Sequence, residues 1–375
     1  MVLKMEKKSK EKNKISVYFT HEPLNYQHLN KSFVNIPKVM SQERNVGVEL
    51  NCYNFDNLED ETIVISSLGK RRYNKIVAFY HTIFDIFVKR KSTHAIMLLH
   101  LSIPTSFVIF FSKLVNKEAK IYLKLDINKE FFDIKLNKWK FVAFKTALKK
   151  VDCISYESMN ICKDILASDL FKCAHNKLVY IPNCIPEANS YIVSDYDKRE
   201  NIFITVGRLG SYQKNTHLFL DAISNAKITG WSFYFVGSIS EEINIRIESL
   251  ASRGFPVKYI GEIRSREEMI SLYERSKVFV LTSRYEGFAT VLAESSLFGN
   301  YIVSTNVNGA KDITNDFEYG TKITDLNSLT ISISSICSGE IDIESLSKRN
   351  QAYTKNNFNW ESVLLKSNIY NMLEI

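Results

Sequence analysis

The chain carries six cysteines but no C-x-x-C spacing. Cys52, Cys153, Cys162, Cys173, Cys184 and Cys337 are scattered, most of them in apolar stretches where free thiols pack as small hydrophobes. That pattern excludes a disulfide framework and a cysteine-bound metal cluster, and predicts a reducing, cytoplasmic setting. A clean bilayer-length run is missing too. The most hydrophobic stretch, 95–111, is broken by His100, Ser102, Pro104, Thr105 and Ser106. It reads as a strand over 95–101 and a helix starting near Pro104, since proline suits a first helical turn. Residues 1–14 are polar and lysine-rich, without the apolar core of a signal peptide. A Walker lysine motif is absent, and Gly207-x-x-Gly210 is too short for a dinucleotide fingerprint. Zinc-finger spacing and an aromatic RNP-like run are both lacking, so nucleic acid is not expected as a partner. No 20–50-residue repeat is visible.

What is present is a globular composition, 45% apolar and 24% charged over 375 residues, a length that suits two domains. Charge is unevenly divided. Residues 1–190 hold 30 Lys and Arg against 19 Asp and Glu, a balance of +11; residues 191–375 hold 19 against 22, a balance of −3. The basic half predicts an anionic partner, with a membrane surface or a lipid-linked phosphate ahead of nucleic acid. A solvated lysine face is the alternative. Two stretches fit a helix against anionic lipid. One runs from Arg71-Arg72-Tyr73 to Lys91, with basic ends and an aromatic interior. The other is 135–150, where Lys138, Lys145 and Lys149 share one face. The apolar residues of 135–150 also fit packing onto the domain's own sheet.

Apolar runs alternate with helix-length segments. Strands are predicted over 15–20, 49–55, 63–67, 95–101, 119–125, 153–156 and 178–181, and then over 202–206, 232–236, 257–260, 278–281 and 301–304. Such alternation predicts an α/β protein with doubly wound parallel sheets covered by helices. A boundary is expected within 181–200, where Pro182 and Pro186 interrupt the pattern. This gives a first domain over 1–185, a second over 186–358, and a final helix over 359–375.

Two glutamates eight residues apart lie in Thr282-Ser283-Arg284-Tyr285-Glu286-Gly287-Phe288-Ala289-Thr290-Val291-Leu292-Ala293-Glu294. Glu286 falls at a strand-to-helix turn and Glu294 two helical turns further on. Between them the backbone N–H groups of Phe288, Ala289 and Thr290, after Gly287, are expected to open a helix and seat a phosphate. Carboxylates that grip hydroxyls, flanking an anion seat, suit a nucleotide sugar; a solvent-facing pair is the bland alternative. Upstream, Val206-Gly207-Arg208-Leu209 ends a strand and a short loop delivers Lys214 before a helix near 217–226. Ligands of open parallel sheets bind outside the carboxyl ends of strands, so Arg208 and Lys214 are placed to neutralise a diphosphate.

With Ser304-Thr305-Asn306-Val307-Asn308-Gly309-Ala310 and the linker-like Ile181-Pro182-Asn183-Cys184-Ile185-Pro186, these motifs make the chain resemble the retaining GT-B glycosyltransferases of the family-4 type, glycosyl transferases group 1. The resemblance implies two Rossmann-like domains facing across a cleft, the first binding the acceptor and the second the nucleotide sugar, with the last helix crossing back to the first domain. It implies that Arg208 and Lys214 hold the donor diphosphate beside Gly207. Glu286 would then contact the donor sugar, Glu294 the ribose hydroxyls, and the backbone around Ile263 would border the nucleobase. No cofactor is implied; the substrate is a nucleotide sugar, with UDP or GDP favoured. The acceptor is expected to be lipid-linked or a glycan, in cell-surface polysaccharide synthesis at the inner face of a membrane.

The first half departs from the family pattern. Where many relatives have Gly-Gly after the first strand, this chain reads Thr20-His21-Glu22-Pro23-Leu24. Where many have a histidine ending a middle strand, Lys124 and Asp126 stand. Asp126 either orients or deprotonates the acceptor hydroxyl or caps the next helix, and His100 reads as a packed histidine. Asp195-Tyr196-Asp197 is an Asp-x-Asp, but it precedes a strand inside a polar linker. No metal is therefore expected, with Arg208, Lys214 and the helix start in the cation's place. A catalytically silent subunit binding nucleotide or lipid, and a nucleotide-sugar epimerase, are the competing readings.

Overall fold

The computed structural model describes residues 13–25, 28, 29, 31–69, 73–186 and 196–375. Arg71, Arg72, Asp195 and the basic start to residue 12 lie outside the described residues. The chain forms two compact units. One comprises Met1–Tyr156, Cys162–Ile181 and Trp360–Ile375; the other comprises Glu157–Ile161 and Pro182–Asn359.

In chain order the first unit begins β1 (Lys14–Phe19), α1 (Ser32–Arg44), β2 (Gly47–Cys52), β3 (Val64–Ser67), α2 (Lys75–Lys89) and β4 (Ala95–Leu99). It continues with α3 (Ile103–Val115), β5 (Lys120–Lys124), α4 (Glu130–Asp133), α5 (Lys138–Lys150), β6 (Cys153–Tyr156), α6 (Met159–Ala167, of which Met159–Ile161 fall in the other unit) and β7 (Leu178–Tyr180). All pairings are parallel, in the order β3-β2-β1-β4-β5-β6-β7. All five residues of β4 are buried, as expected of a central parallel strand covered on both faces. The helix expected near Pro104 is α3: Ser102 caps it, its hydroxyl accepting from Thr105 N at 3.2 Å, and Pro104 sits in its first turn.

The second unit runs β8 (Ile202–Val206), α7 (Thr216–Asn225), β9 (Ser232–Val236), α8 (Glu241–Ser252), β10 (Val257–Gly261), α9 (Arg266–Arg275) and β11 (Val278–Leu281). It continues through α10 (Thr290–Leu297), β12 (Tyr301–Thr305), α11 (Ala310–Ile313), β13 (Gly320–Ile323), α12 (Leu326–Cys337) and α13 (Ile343–Asn357). Its sheet is also parallel, ordered β10-β9-β8-β11-β12-β13. One side of its core is built on stacked Phe203 and Phe233, 4.8 Å between centroids, and the other on stacked Tyr273 and Phe298. Strand β13 was not expected: it is four residues long, half-exposed and carries Lys322, so it lacks the apolar run of its neighbours.

The tail forms two short helices, α14 (Trp360–Lys366) and α15 (Ile369–Leu373), not one. Asn368, in the left-handed region at φ 62°, separates them. Both belong to the first unit: α14 packs on α1, and α15 packs beside β5 and β6.

In each unit the strand order reverses at one place, between β1 and β4 in the first and between β8 and β11 in the second. The carboxyl ends of these strands are where a doubly wound sheet opens a crevice.

Candidate functional site

The residues singled out in the second half gather at the β8/β11 reversal. Strand β8 is followed by Gly207, at φ 150°, whose N–H donates to Val236 O at 2.9 Å. Close approach of the two strand ends needs Gly237: at φ 115°, a Cβ there would lie 2.0 Å from Gly207 O. A Cβ on Gly207 itself would come within 2.9 Å of Lys214 Cε, so this glycine makes room for the lysine stem. Buried Leu209 anchors the intervening loop, its N–H donating to Ser238 O and its carbonyl accepting from Thr216 Oγ1.

Held in this way, Lys214 Nζ lies 2.8 Å from Glu286 Oε1 in the loop after β11. The Glu286 carboxylate also accepts from Ser283 Oγ at 2.6 Å and from Gln213 Nε2 at 3.0 Å. Exposed Arg208 joins the group through Gln213, its Nη2 donating to Gln213 Oε1 at 3.3 Å. A second clamp ties the two loops together. Arg284 donates from Nε to Tyr212 O and from Nη2 to Asn215 Oδ1, and lies 4.4 Å from the centroid of the Tyr212 ring. Gln213, Ser283 and Arg284 were not anticipated. The strand-end motifs were the only signal near them, and motifs do not reveal which neighbouring loop supplies a partner.

The anion seat differs from expectation. Helix α10 starts at Thr290, with Ala289 as its cap residue. Ala289 N donates to Asn308 O and Thr290 N to Phe288 O, so two of the three amides expected to face a phosphate already have partners. The loop after β12 takes the Ala289 amide, and the Thr290 amide closes on its own turn. Asn308 grips this turn twice, its side chain also donating to Glu286 O at 3.1 Å, while Gly309 at φ 88° lies against Phe288 and Ala289. Phe288 is buried in the second core cluster and Gly287 is half-exposed beside it.

Glu294, in the second turn of α10, pairs with Arg266 at the start of α9 at 3.1 Å, and Tyr273 Oη donates to its other oxygen at 3.5 Å. Burial, reinforced by the adjacent carboxylate, pushes the Tyr273 phenol well above its ordinary range. Ile263, following β10, is partly buried against the same cluster. Arg266 is a further member that spacing did not reveal.

Asp126 belongs to the first unit. It is exposed after β5, near the buried Lys124 and the half-buried His100. Burial pulls the Lys124 ammonium down to about 8, with Asp126 opposing the shift. His100, at φ 56° after β4, donates its backbone N–H to Lys124 O, and its ring lies 5.0 Å from that of His21, which follows β1. Partial desolvation, above all, lowers both imidazoles, although His21 is exposed and His100 half-buried; Asp126 opposes this at His100. The capping role considered for Asp126 does not occur, because α4 has Lys129 at its cap position. His21 stands in a loop with neither the glycine pair of many relatives nor any other motif, so the sequence carries no signal for it. A cavity of about 160 Å³ opens beside it at the β1/β4 reversal, with Thr20, His21, Tyr73, Lys75 and Ser102 in its wall.

Among the described residues no group of three or more His, Cys, Asp or Glu side chains is placed to hold a metal ion. No helix among them is long and apolar enough to cross a membrane.

Comparison with known proteins adds the following. Residues 192–356 match the family described as Glycosyl transferases group 1. Over 125 residues the chain is 35% identical to the Campylobacter jejuni "GalNAc-alpha-(1->4)-GalNAc-alpha-(1->3)-diNAcBac-PP-undecaprenol alpha-1,4-N-acetyl-D-galactosaminyltransferase", covering 32% of this chain and 33% of that protein. Over 217 residues it is 25% identical to the amylovoran biosynthesis glycosyltransferase AmsD of Erwinia amylovora, covering 56% and 58%. The matched stretches thus span less than two thirds of either relative. Among solved structures, a glycosyltransferase from Rickettsia africae superposes with a TM-score of 0.75 at 15% identity, covering 97% of this chain and 98% of that one. HepE of Anabaena, in complex with UDP and glucose, gives 0.69 at 15% identity, covering 96% and 99%. These likenesses show the GT-B fold.

Proposed function

We propose that this chain, which belongs to glycosyl transferases group 1 through residues 192–356, moves a sugar from a nucleotide-diphosphate donor to an acceptor hydroxyl. The observation that carries the proposal is the Lys214–Glu286 pair at the β8/β11 reversal, with Arg208 linked to it through Gln213. A donor diphosphate entering there draws Lys214 and Arg208 to its oxygens and frees Glu286 for the sugar hydroxyls. Glu294 takes the ribose, and the backbone near Ile263 borders the base. The bond between the anomeric carbon and the diphosphate oxygen breaks first, its electron pair leaving with the phosphate. The acceptor oxygen then bonds the same face of that carbon, so configuration is retained, and its proton passes to a phosphate oxygen. Electrostatic stabilisation of the leaving group and positioning supply the rate; Lys214 and Arg208 serve where a metal would otherwise be needed.

UDP is the favoured nucleotide, supported by the UDP complex of HepE; GDP is second. The acceptor is a lipid-linked or polysaccharide precursor, supported by the PP-undecaprenol in the name of the Campylobacter relative and by the amylovoran synthesis of the Erwinia one. The first unit receives it beside the β1/β4 reversal, with Asp126, after the neighbouring β5, orienting the hydroxyl, at the cytoplasmic face of a membrane.

The test is thermal stabilisation by UDP-, GDP-, ADP- and CMP-sugars, followed by transfer of radiolabelled sugar to undecaprenyl-diphosphate oligosaccharides. A donor at about 100 times its dissociation constant adds roughly 2.7 kcal/mol to the folded state. Selective stabilisation by one donor, with label appearing in the lipid fraction, is the expected result. Donor binding without transfer to any acceptor would replace the proposal with a silent, nucleotide-binding subunit.

A further inference from the structure

Helix α2 is apolar on two opposite faces. Ala78, Thr82 and Ile86 are buried, whereas Ile76, Tyr80, Phe84 and Phe87 are 47–69% exposed along a stripe of spacing four, four and three. A helix apolar all round normally has something covering both sides. Its neighbour repeats the pattern: α3 packs between α2 and α5 and turns Phe107, Phe110 and Leu114 outward at i, i+3 and i+7. Trp139 and Val142 continue the strip onto α5. Eleven of the 22 large hydrophobic side chains exposed among the described residues lie on these three helices, so the exposure is a patch and not scatter.

The charge on the patch says what covers it. Helix α5 carries Lys138, Lys140, Lys145, Lys149 and Lys150 and no acidic residue, and none of the five forms an ion pair among the described residues. Cations and rings are interleaved: Lys150 Nζ lies 5.2 Å from the Phe110 centroid, Arg90 lies 4.3 Å from Phe87, and Lys140 lies 5.7 Å from Trp139. At the far ends of α3 and α5 the face meets a concavity of about 570 Å³, walled by Lys113, Lys117, Lys149, Lys150 and Lys177 with a single acid, Asp152. A protein partner would need a matching acidic, apolar face. A bilayer surface of anionic phospholipid supplies apolar depth for the rings and phosphates for the lysines at once.

We infer that the outer faces of α2, α3 and α5 dock the protein on an anionic phospholipid bilayer, with the rings at the acyl boundary and the α5 lysines among the headgroup phosphates. This deepens the reading of a lipid-linked acceptor, yet it rests on the three helices alone. The test is co-sedimentation of the full chain with vesicles of phosphatidylcholine containing 30% phosphatidylglycerol, and with pure phosphatidylcholine. Wild type is expected to pellet with the anionic vesicles only, and less so at 0.5 M salt. The triple variant Lys138→Glu, Lys145→Glu, Lys149→Glu should weaken binding roughly a hundredfold. Phe84→Ser with Phe107→Ser, both on exposed positions, should weaken it at low and high salt alike. Donor-induced thermal stabilisation is measured on the same variants and stays at the wild-type value, which separates loss of docking from loss of the donor site. Failure of wild type to bind anionic vesicles would overturn the inference. So would a dimer in light scattering that Phe84→Ser dissociates, because the face would then belong to a second copy.

Discussion

Lys214 Nζ and Glu286 Oε1 lie 2.8 Å apart on two loops more than seventy residues distant in sequence, with only 12% and 10% of their side chains exposed. The cation assigned to the donor diphosphate is thus held, without donor, by the carboxylate assigned to the donor sugar. Removing the lysine leaves Glu286 with its Ser283 and Gln213 hydrogen bonds, so the loop keeps part of its support. Lys214→Ala is expected to lower stability by about 1–3 kcal/mol and turnover by at least about a hundredfold, since both an ion pair and leaving-group stabilisation are lost. Urea unfolding and initial-rate kinetics measure the two separately. Near-wild-type turnover by a folded variant would remove Lys214 from the mechanism.

Arg266 and Glu294 supply the second prediction. Their side chains are 33% and 23% exposed, so the pair contributes modestly to stability, and its larger effect is to fix the carboxylate. With Glu294 on the ribose, Arg266→Ala should raise the donor KM several-fold at nearly constant kcat, while Glu294→Ala should raise it further. A change confined to kcat in either variant would place the pair at the reacting centre instead.

Those partnerships mark the limit of what the sequence discloses. Strands β4, β8 and β11 are legible because a parallel strand buried on both faces reads as an unbroken apolar run, and Gly207, Arg208 and Lys214 are legible because they follow one directly. Strand β13, with its exposed Lys322, has no such run. Asn308 filling the Ala289 amide, Gln213 bridging Arg208 to Glu286, and Arg266 reaching Glu294 all depend on loops that meet only after the sheet has formed. The apolar character of α2 is visible in the sequence as an aromatic interior between basic ends, but periodicity cannot say which of two apolar faces turns inward.

Gly237 tests how the donor loop is built. Its φ of 115° and the 2.0 Å approach of Gly207 O leave no space for a methyl group, and the obstacle is backbone. Gly237→Ala should cost about 3 kcal/mol or more and abolish donor-induced stabilisation. Gly230→Ala is the control: its φ is 71°, but no atom lies within 4 Å of the added carbon, so about 1–2 kcal/mol is expected. Equal losses in the two variants would show that backbone conformation alone accounts for the glycine, not the close approach of the strand ends.

The His21–His100 pair gives stability a pH dependence of defined sign. Partial burial lowers the half-buried His100 imidazole below the ordinary 6.5, against the pull of Asp126 and with the push of Lys124; the exposed His21 shifts the same way through its smaller enclosure and the neighbouring His100 and Lys75, against Glu22. The unfolded chain therefore binds protons at a higher pH than the folded one does. The contribution of the pair is fully present above pH 6.5 and is lost as pH falls through the lower folded values. Wild type should melt at a lower temperature at pH 5.5 than at 7.5, by more than can be recovered with salt. His100→Asn, a residue that tolerates the left-handed backbone found there, should flatten that difference while changing the melting temperature at pH 7.5 far less. An unchanged pH dependence in both His21→Asn and His100→Asn would mean that other groups set the acid limit.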